Sequence, residues 1–277
     1  VRDNLDPDLH AYVEYSNEIW NWQFDQATYV AEQGQAMNLS ENAGQAGLFY
    51  HAHRAMQIFD IWEEEFGNRD RFVRVLASQS ANPWTGQQVM SYDNAAANAD
   101  VLAIAPYFSA DLGNPDTVNQ VLNTPVDDLI DQLEADILGD KAEKIATNAA
   151  NATENGLQLI AYEGGQHLAG RGGAENNEAL TELLISLNRH PKMYHLYRLY
   201  LETWAANGGG FFAHFSHIGS YSQWGSWGVL EYQHQGPTTV KYRALHDYIN
   251  DAPVGVVNMP AEFDVESTPA LPVLSWD

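Results

Sequence analysis

Short apolar or β-branched runs alternate along the chain with longer stretches in which apolar residues return every three or four positions, the signatures of strand and amphipathic helix. Five strands are expected, at AYVEYSNEIW (11–20), RFVRVLASQ (71–79), VLAIAPYF (101–108), LQLIAYEGG (157–165) and FFAHFSHIGS (211–220). Helices are expected at 44–66, where Leu48, Ala52, Ala55, Phe59 and Trp62 form one stripe, and at 86–99. A further helix starts at Thr124-Pro125 and runs through DDLIDQLEADIL, with Thr124 as N-cap and Asp127 in the capping-box position. ENNEALTELLISLNRH, broken by Pro191, KMYHLYRLYLETWAANGGG with its glycine cap, and 238–250 complete the set. Prolines at 253, 260, 269 and 272 mark 251–277 as an extended C-terminal tail, which leaves 1–250 as the folded part.

Strands separated by helices imply an α/β fold of parallel βαβ units, either a doubly wound sheet or a barrel. No GxGxxG or GxxxxGKS loop follows any strand, which weighs against a nucleotide-binding fold. The 277 residues suit a (β/α)8 barrel of about 250.

Composition narrows the partners. Apolar residues make up 45% and aromatics 12%, enough for a real core, and the longest apolar runs fall far short of the roughly 20 residues a membrane span needs. With 13 basic and 37 acidic residues the net charge is −24, so nucleic acid and anionic membrane surfaces are excluded as partners and neutral substrates are favoured. There is no cysteine, hence no disulfide or thiolate chemistry and no report on redox compartment. The chain opens at Val1 without an apolar leader, as expected of a processed or cut N-terminus.

Two glutamates stand near the C-terminal ends of predicted strands: Glu18 in YVEYSNEIW and Glu163 in LIAYEGG. Sites in parallel α/β folds are built at that end, and Gly164-Gly165 leave room for close approach. Either carboxylate alone could equally serve an ion pair or a helix cap. Together they match glycosidic bond hydrolysis, which needs one carboxyl to protonate the leaving oxygen and another to attack or to activate water. Asn17-Glu18 at a strand end, with a second strand-end glutamate three βα units on, resembles clan A of the retaining glycoside hydrolases. The resemblance implies a TIM (β/α)8 barrel in which 11–20 is strand four and 211–220 strand eight, so this chain supplies about five of the eight units. It further implies Glu18 as acid/base, Glu163 as nucleophile and Asn17 as the partner of the sugar 2-hydroxyl. Glu14 completes an E-x-x-N-E pattern similar to arabinofuranosidase-like members, in a supporting role.

Trp20 and Trp22 follow the first strand, and Trp224 and Trp227 lie in QWGSW after the fifth. Tryptophans there can pack on a pyranose face, with core packing the alternative for each. The clan commonly has a His near a Tyr on strand six; here the sequence is Ala105-Pro106-Tyr107, leaving Tyr107 as the candidate partner of the nucleophile. Pleat alternation places Phe211, Ala213 and Phe215 toward the helices and Phe212, His214 and Ser216 toward the barrel axis. His51 and His53 diverge on a helix, and His214 and His217 face opposite sides of a strand, so neither pair reads as a metal site. No cofactor is implied. Asn38 and Asn151 sit in chance-level glycosylation sequons.

Five strands do not close an eight-stranded barrel, so a separate N-terminal polypeptide is expected to supply strands one to three. The function implied is cleavage of β-linked neutral or weakly charged polysaccharide or oligosaccharide, in a secreted or periplasmic bacterial setting. The rival is a non-catalytic carbohydrate-binding barrel.

Overall fold

The computed structural model describes residues 1–236 and 238–250; the expected tail at 251–277 lies outside them. Five parallel strands, β1 (Ala11–Glu14), β2 (Phe72–Ala77), β3 (Val101–Ile104), β4 (Gln158–Ala161) and β5 (Gly209–Phe212), form one sheet in the order of the chain. An order that never reverses, under right-handed crossovers, keeps the helices on one face. They are α1 (Asp25–Ala36), α2 (Ala43–Phe66), α3 (Trp84–Ser91), α4 (Val118–Leu122), α5 (Val126–Asp136), α6 (Ala142–Glu154), α7 (Glu178–Arg189), α8 (Met193–Ala206) and α9 (Val240–Ile249). No helix among the described residues is long and apolar enough to cross a membrane.

The Leu48–Ala52–Ala55–Phe59 stripe of α2 is buried against Val13, Phe72, Leu76, Leu102 and Leu159 from the strands. Asn42 caps α2 by accepting from the Gln45 amide at 2.9 Å, and Gly67, at φ 78°, ends it in the left-handed conformation. Thr124 does not cap α5 as expected. Its hydroxyl donates to the Gln120 carbonyl at 2.8 Å, closing α4, and Pro125 is the N-cap without a side-chain bond.

Three helices escape the periodicity: the five-residue α4 is too short to repeat, and α1 and α6 bury faces that are not bulky and apolar. In α1 the buried positions are Ala27, Val30, Ala31 and Gly34, and a Cβ on Gly34 would stand 2.1 Å from the Ala46 carbonyl oxygen of α2. In α6 two buried positions are asparagines: Asn148 donates to the Ser80 carbonyl at 3.1 Å, and Asn151 accepts from Gln87 at 3.1 Å. That burial leaves no room for a glycan on Asn151.

The opposite face of the sheet carries a small cluster of Val75, Val101, Ala103 and Ile160, flanked by Val73 and Tyr162. Phe211 belongs to this inner face, where its ring stacks on Tyr12 of β1 at 5.3 Å. The expected parity of the fifth strand is therefore reversed. Phe212 packs edge-on against Tyr200 and Trp204 of α8, and the His214 ring nitrogen lies 3.2 Å from the Tyr197 hydroxyl, also in α8. The strand begins two residues earlier than the apolar run suggests, at Gly209, because a glycine is the one residue that fits beside the Trp204 indole.

Candidate active site

All five strands stop before their expected ends, by two residues at β2 and by four to eight at the others, and the chemistry sits in the turns that follow. After β1, Ser16 and Glu18 adopt left-handed φ values of 50° and 53°. Such backbone is uncommon for residues with a side chain and clusters where surrounding structure fixes a functional geometry. It lifts Glu18 off the strand and into a cleft of about 610 Å3 at the C-terminal edge of the sheet, shared with Trp20, Asn21, Gln79, Tyr107 and Tyr162. The Asn21 side-chain amide donates to the Glu18 carboxylate at 3.2 Å. Asn17, expected to face a sugar, does not line the cleft; Asn21 is the amide that meets the acid.

Glu163 follows β4 and does not itself line the cleft; its carboxylate interacts with the hydroxyl of Tyr107, which does. Burial raises the Glu163 pKa and the Glu18 charge raises it further, while the Tyr107 hydroxyl opposes both. The two strand-end carboxyls are thus electrostatic neighbours, and Tyr107 favours the ionised form on Glu163. Burial and the same two carboxylates push the Tyr107 phenol far up.

Glu14 completes the group from beneath. One of its carboxylate oxygens is buried without a partner, and burial together with Glu163 pushes its pKa up to about 7. Tyr162 faces all three carboxylates, and burial followed by their charge raises its phenol.

Gly164 and Gly165 serve packing rather than substrate access. A Cβ on Gly164 would stand 2.6 Å from the Phe212 ring, and one on Gly165, at φ 144°, would meet His214 at 3.0 Å. His214 therefore supports the Glu163 turn from the helix side, away from the axis.

Trp227 stands with Tyr107 and His167 in an edge-to-face trio, at ring separations of 5.7 Å from Tyr107 and 4.8 Å from His167. Its loop is fixed at the neighbouring Ser226 carbonyl, which accepts from buried Gln166 at 2.8 Å and from buried Lys241 at 2.6 Å. Ser216 binds this loop through backbone bonds to Trp227 and Val229 and is not on a strand. Trp224 is 68% exposed and does not line the Glu18 cleft, against expectation.

No lysine or arginine lines the cleft, and no group of three or more metal-binding side chains is found among the described residues. Asn21, Gln79, Tyr162 and His167 were not singled out from the sequence. Gln79 and Tyr162 lie at the ends of runs read as strand, and Asn21 and His167 lie beyond such runs, where periodicity carries no signal. No family model, curated protein or solved structure matches the chain.

Proposed function

We propose that the chain contributes strands four to eight of a clan A (β/α)8 barrel and hydrolyses a β-linked neutral or weakly charged glycan with retention. The observation that carries this is the pairing of Glu18 and Glu163, which leave β1 and β4 for one site, with the Glu18 charge raising the Glu163 pKa and Tyr107 opposing that rise. In the first step a Glu163 oxygen bonds to the anomeric carbon while Glu18 gives its proton to the departing glycosidic oxygen. Water then attacks the glycosyl–Glu163 ester, Glu18 takes the water's proton, and Glu163 leaves as carboxylate. Asn21 holds the Glu18 carboxyl in place. The uncharged remainder of the cleft lining suits a neutral sugar.

Glu18→Ala and Glu163→Ala should each abolish hydrolysis of aryl β-glycosides, with azide restoring turnover in at least one. Product formed by the wild type should keep its anomeric configuration by NMR. Full activity in either variant removes the assignment, and tight glycan binding without any product favours a non-catalytic carbohydrate-binding barrel.

Barrel closure calls for three further βα units from polypeptide outside this sequence. The open edges of β1 and β5, with Tyr12 49% and Phe211 56% exposed, are where they would seat. Native mass spectrometry of the intact protein should find about 100–200 additional residues bound, the size of the missing units.

A further inference from the structure

The Glu18 cleft continues beyond the carboxylates. Trp20, Trp22 and Gln79 line it and also line a second hollow of about 190 Å3, so the two adjoin across these side chains. Small residues of α1 and α2, among them Ala27, Ala31 and Gly47, make the floor of the extension, and Trp84, the first residue of α3, makes a wall. Trp22 is 60% and Trp84 45% exposed. Two indoles left largely in water beside one depression are surface the fold does not use for its core.

We propose that this extension binds sugar units of a neutral glycan on the leaving-group side of the scissile bond. Its side follows from the acid/base role proposed for Glu18, on which this inference rests. Glu18, which hands its proton to the departing oxygen, lines the groove where it opens toward Trp22, whereas Glu163 is tied to Tyr107, beside His167 and Trp227. The chemistry of the wall fixes the class of ligand. Indole faces pack on the apolar faces of pyranoses, Gln79 and Asn82 can serve hydroxyls, and no charged residue lines the extension. The substrate is accordingly a chain with sugar units on both sides of the cut, not a glycoside with a small leaving group.

The test is calorimetric binding in a Glu163→Gln background, using neutral β-1,4-linked hexasaccharides of gluco, xylo, manno and galacto configuration. Trp84→Ala should weaken the best-bound hexasaccharide roughly three- to tenfold, the range of one aromatic contact. Trp84→Phe should recover affinity to within about threefold of the parent, and the matching aryl monosaccharide should be affected less than the hexasaccharide. An unchanged melting temperature in Trp84→Ala shows that the loss is local. Equal hexasaccharide affinity in Trp84→Ala and parent overturns the proposal, as does binding of none of the four or a preference for an anionic hexasaccharide. The two readings fail separately. If Glu18→Ala retains full hydrolysis, the acid/base role and the leaving-group assignment fall, whereas a silent Trp84→Ala beside inactive Glu18 and Glu163 variants removes the groove alone.

Discussion

Tyr12 and Phe211 stack at 5.3 Å with 24° between their rings, although they stand on the two edge strands of the sheet. Four strand spacings of about 4.8 Å would hold those edges about 19 Å apart if the sheet were flat. An aromatic ring centre lies only about 4 Å from its Cα, so stacking limits the strands to roughly 14 Å. The sheet is therefore curled, and its edges look at each other across the inner face, as inward-pointing residues of opposite strands do in a barrel. A double-mutant cycle with Tyr12→Ala and Phe211→Ala should give a coupling of about 0.5–1.5 kcal/mol in urea unfolding. Additive effects would mean that the edges do not meet in solution.

Tyr107 should set the pH range of activity. Its hydroxyl favours ionised Glu163, against burial and the Glu18 charge. Tyr107→Phe removes only that hydroxyl, so the Glu163 pKa rises and the acid limb of kcat/KM moves to higher pH. Activity should fall roughly ten- to hundredfold on the acid side, the worth of a hydrogen bond to a charged group, and less above it. A uniform loss at every pH would point to substrate contact instead.

Glu14 should cost stability in alkali. Its folded pKa of about 7 lies above the ordinary 4.5, so the stability of the protonated form is complete below pH 4.5 and is lost as pH rises through 7. Full ionisation costs about 3 kcal/mol. Glu14→Gln cannot ionise, and its chemical denaturation midpoint should match the wild type near pH 4.5 and exceed it at pH 8.5. Parallel pH dependence in the two proteins would show that Glu14 is solvated in both forms.

What the sequence revealed follows from which residues carry periodic information. The α2 stripe and the strand cores at Val75–Leu76 and Leu102–Ile104 are bulky and apolar, and they emerged where expected. Glu18 and Glu163 were legible because a carboxylate at the end of an apolar run has no place in a core. The turns were not, since the left-handed φ at Ser16 and Glu18 leaves no residue-type mark of the kind glycine would. Phe211 and Phe212 are chemically identical, so the side each faces was settled by neighbours remote in sequence, Tyr12 for one and Trp204 for the other. Asn21 and Tyr162 joined the site through the same long-range folding.

His51 should be the acid-sensitive point of the helix layer. It sits wholly buried in α2, its ring over Tyr15 at 5.8 Å, with neither ring nitrogen hydrogen-bonded. Nothing compensates a charge there, and burial pushes its pKa down to about 4 from the usual 6.5. A depressed histidine contributes stability that is complete above pH 6.5 and is lost as pH falls through 4, because the unfolded chain takes the proton first. By pH 5 the loss is already about 2 kcal/mol, enough to matter against a net stability of only about 5–15. His51→Leu fills nearly the same volume without a titrating group, so its unfolding free energy should exceed the wild type at pH 5 by about that amount. Between pH 7 and 8 the difference should shrink to the small change left by exchanging one buried side chain for another. Urea titrations at the two pH values separate the cases: a constant offset would assign the effect to packing, and only a gap that widens toward acid assigns it to the proton on His51.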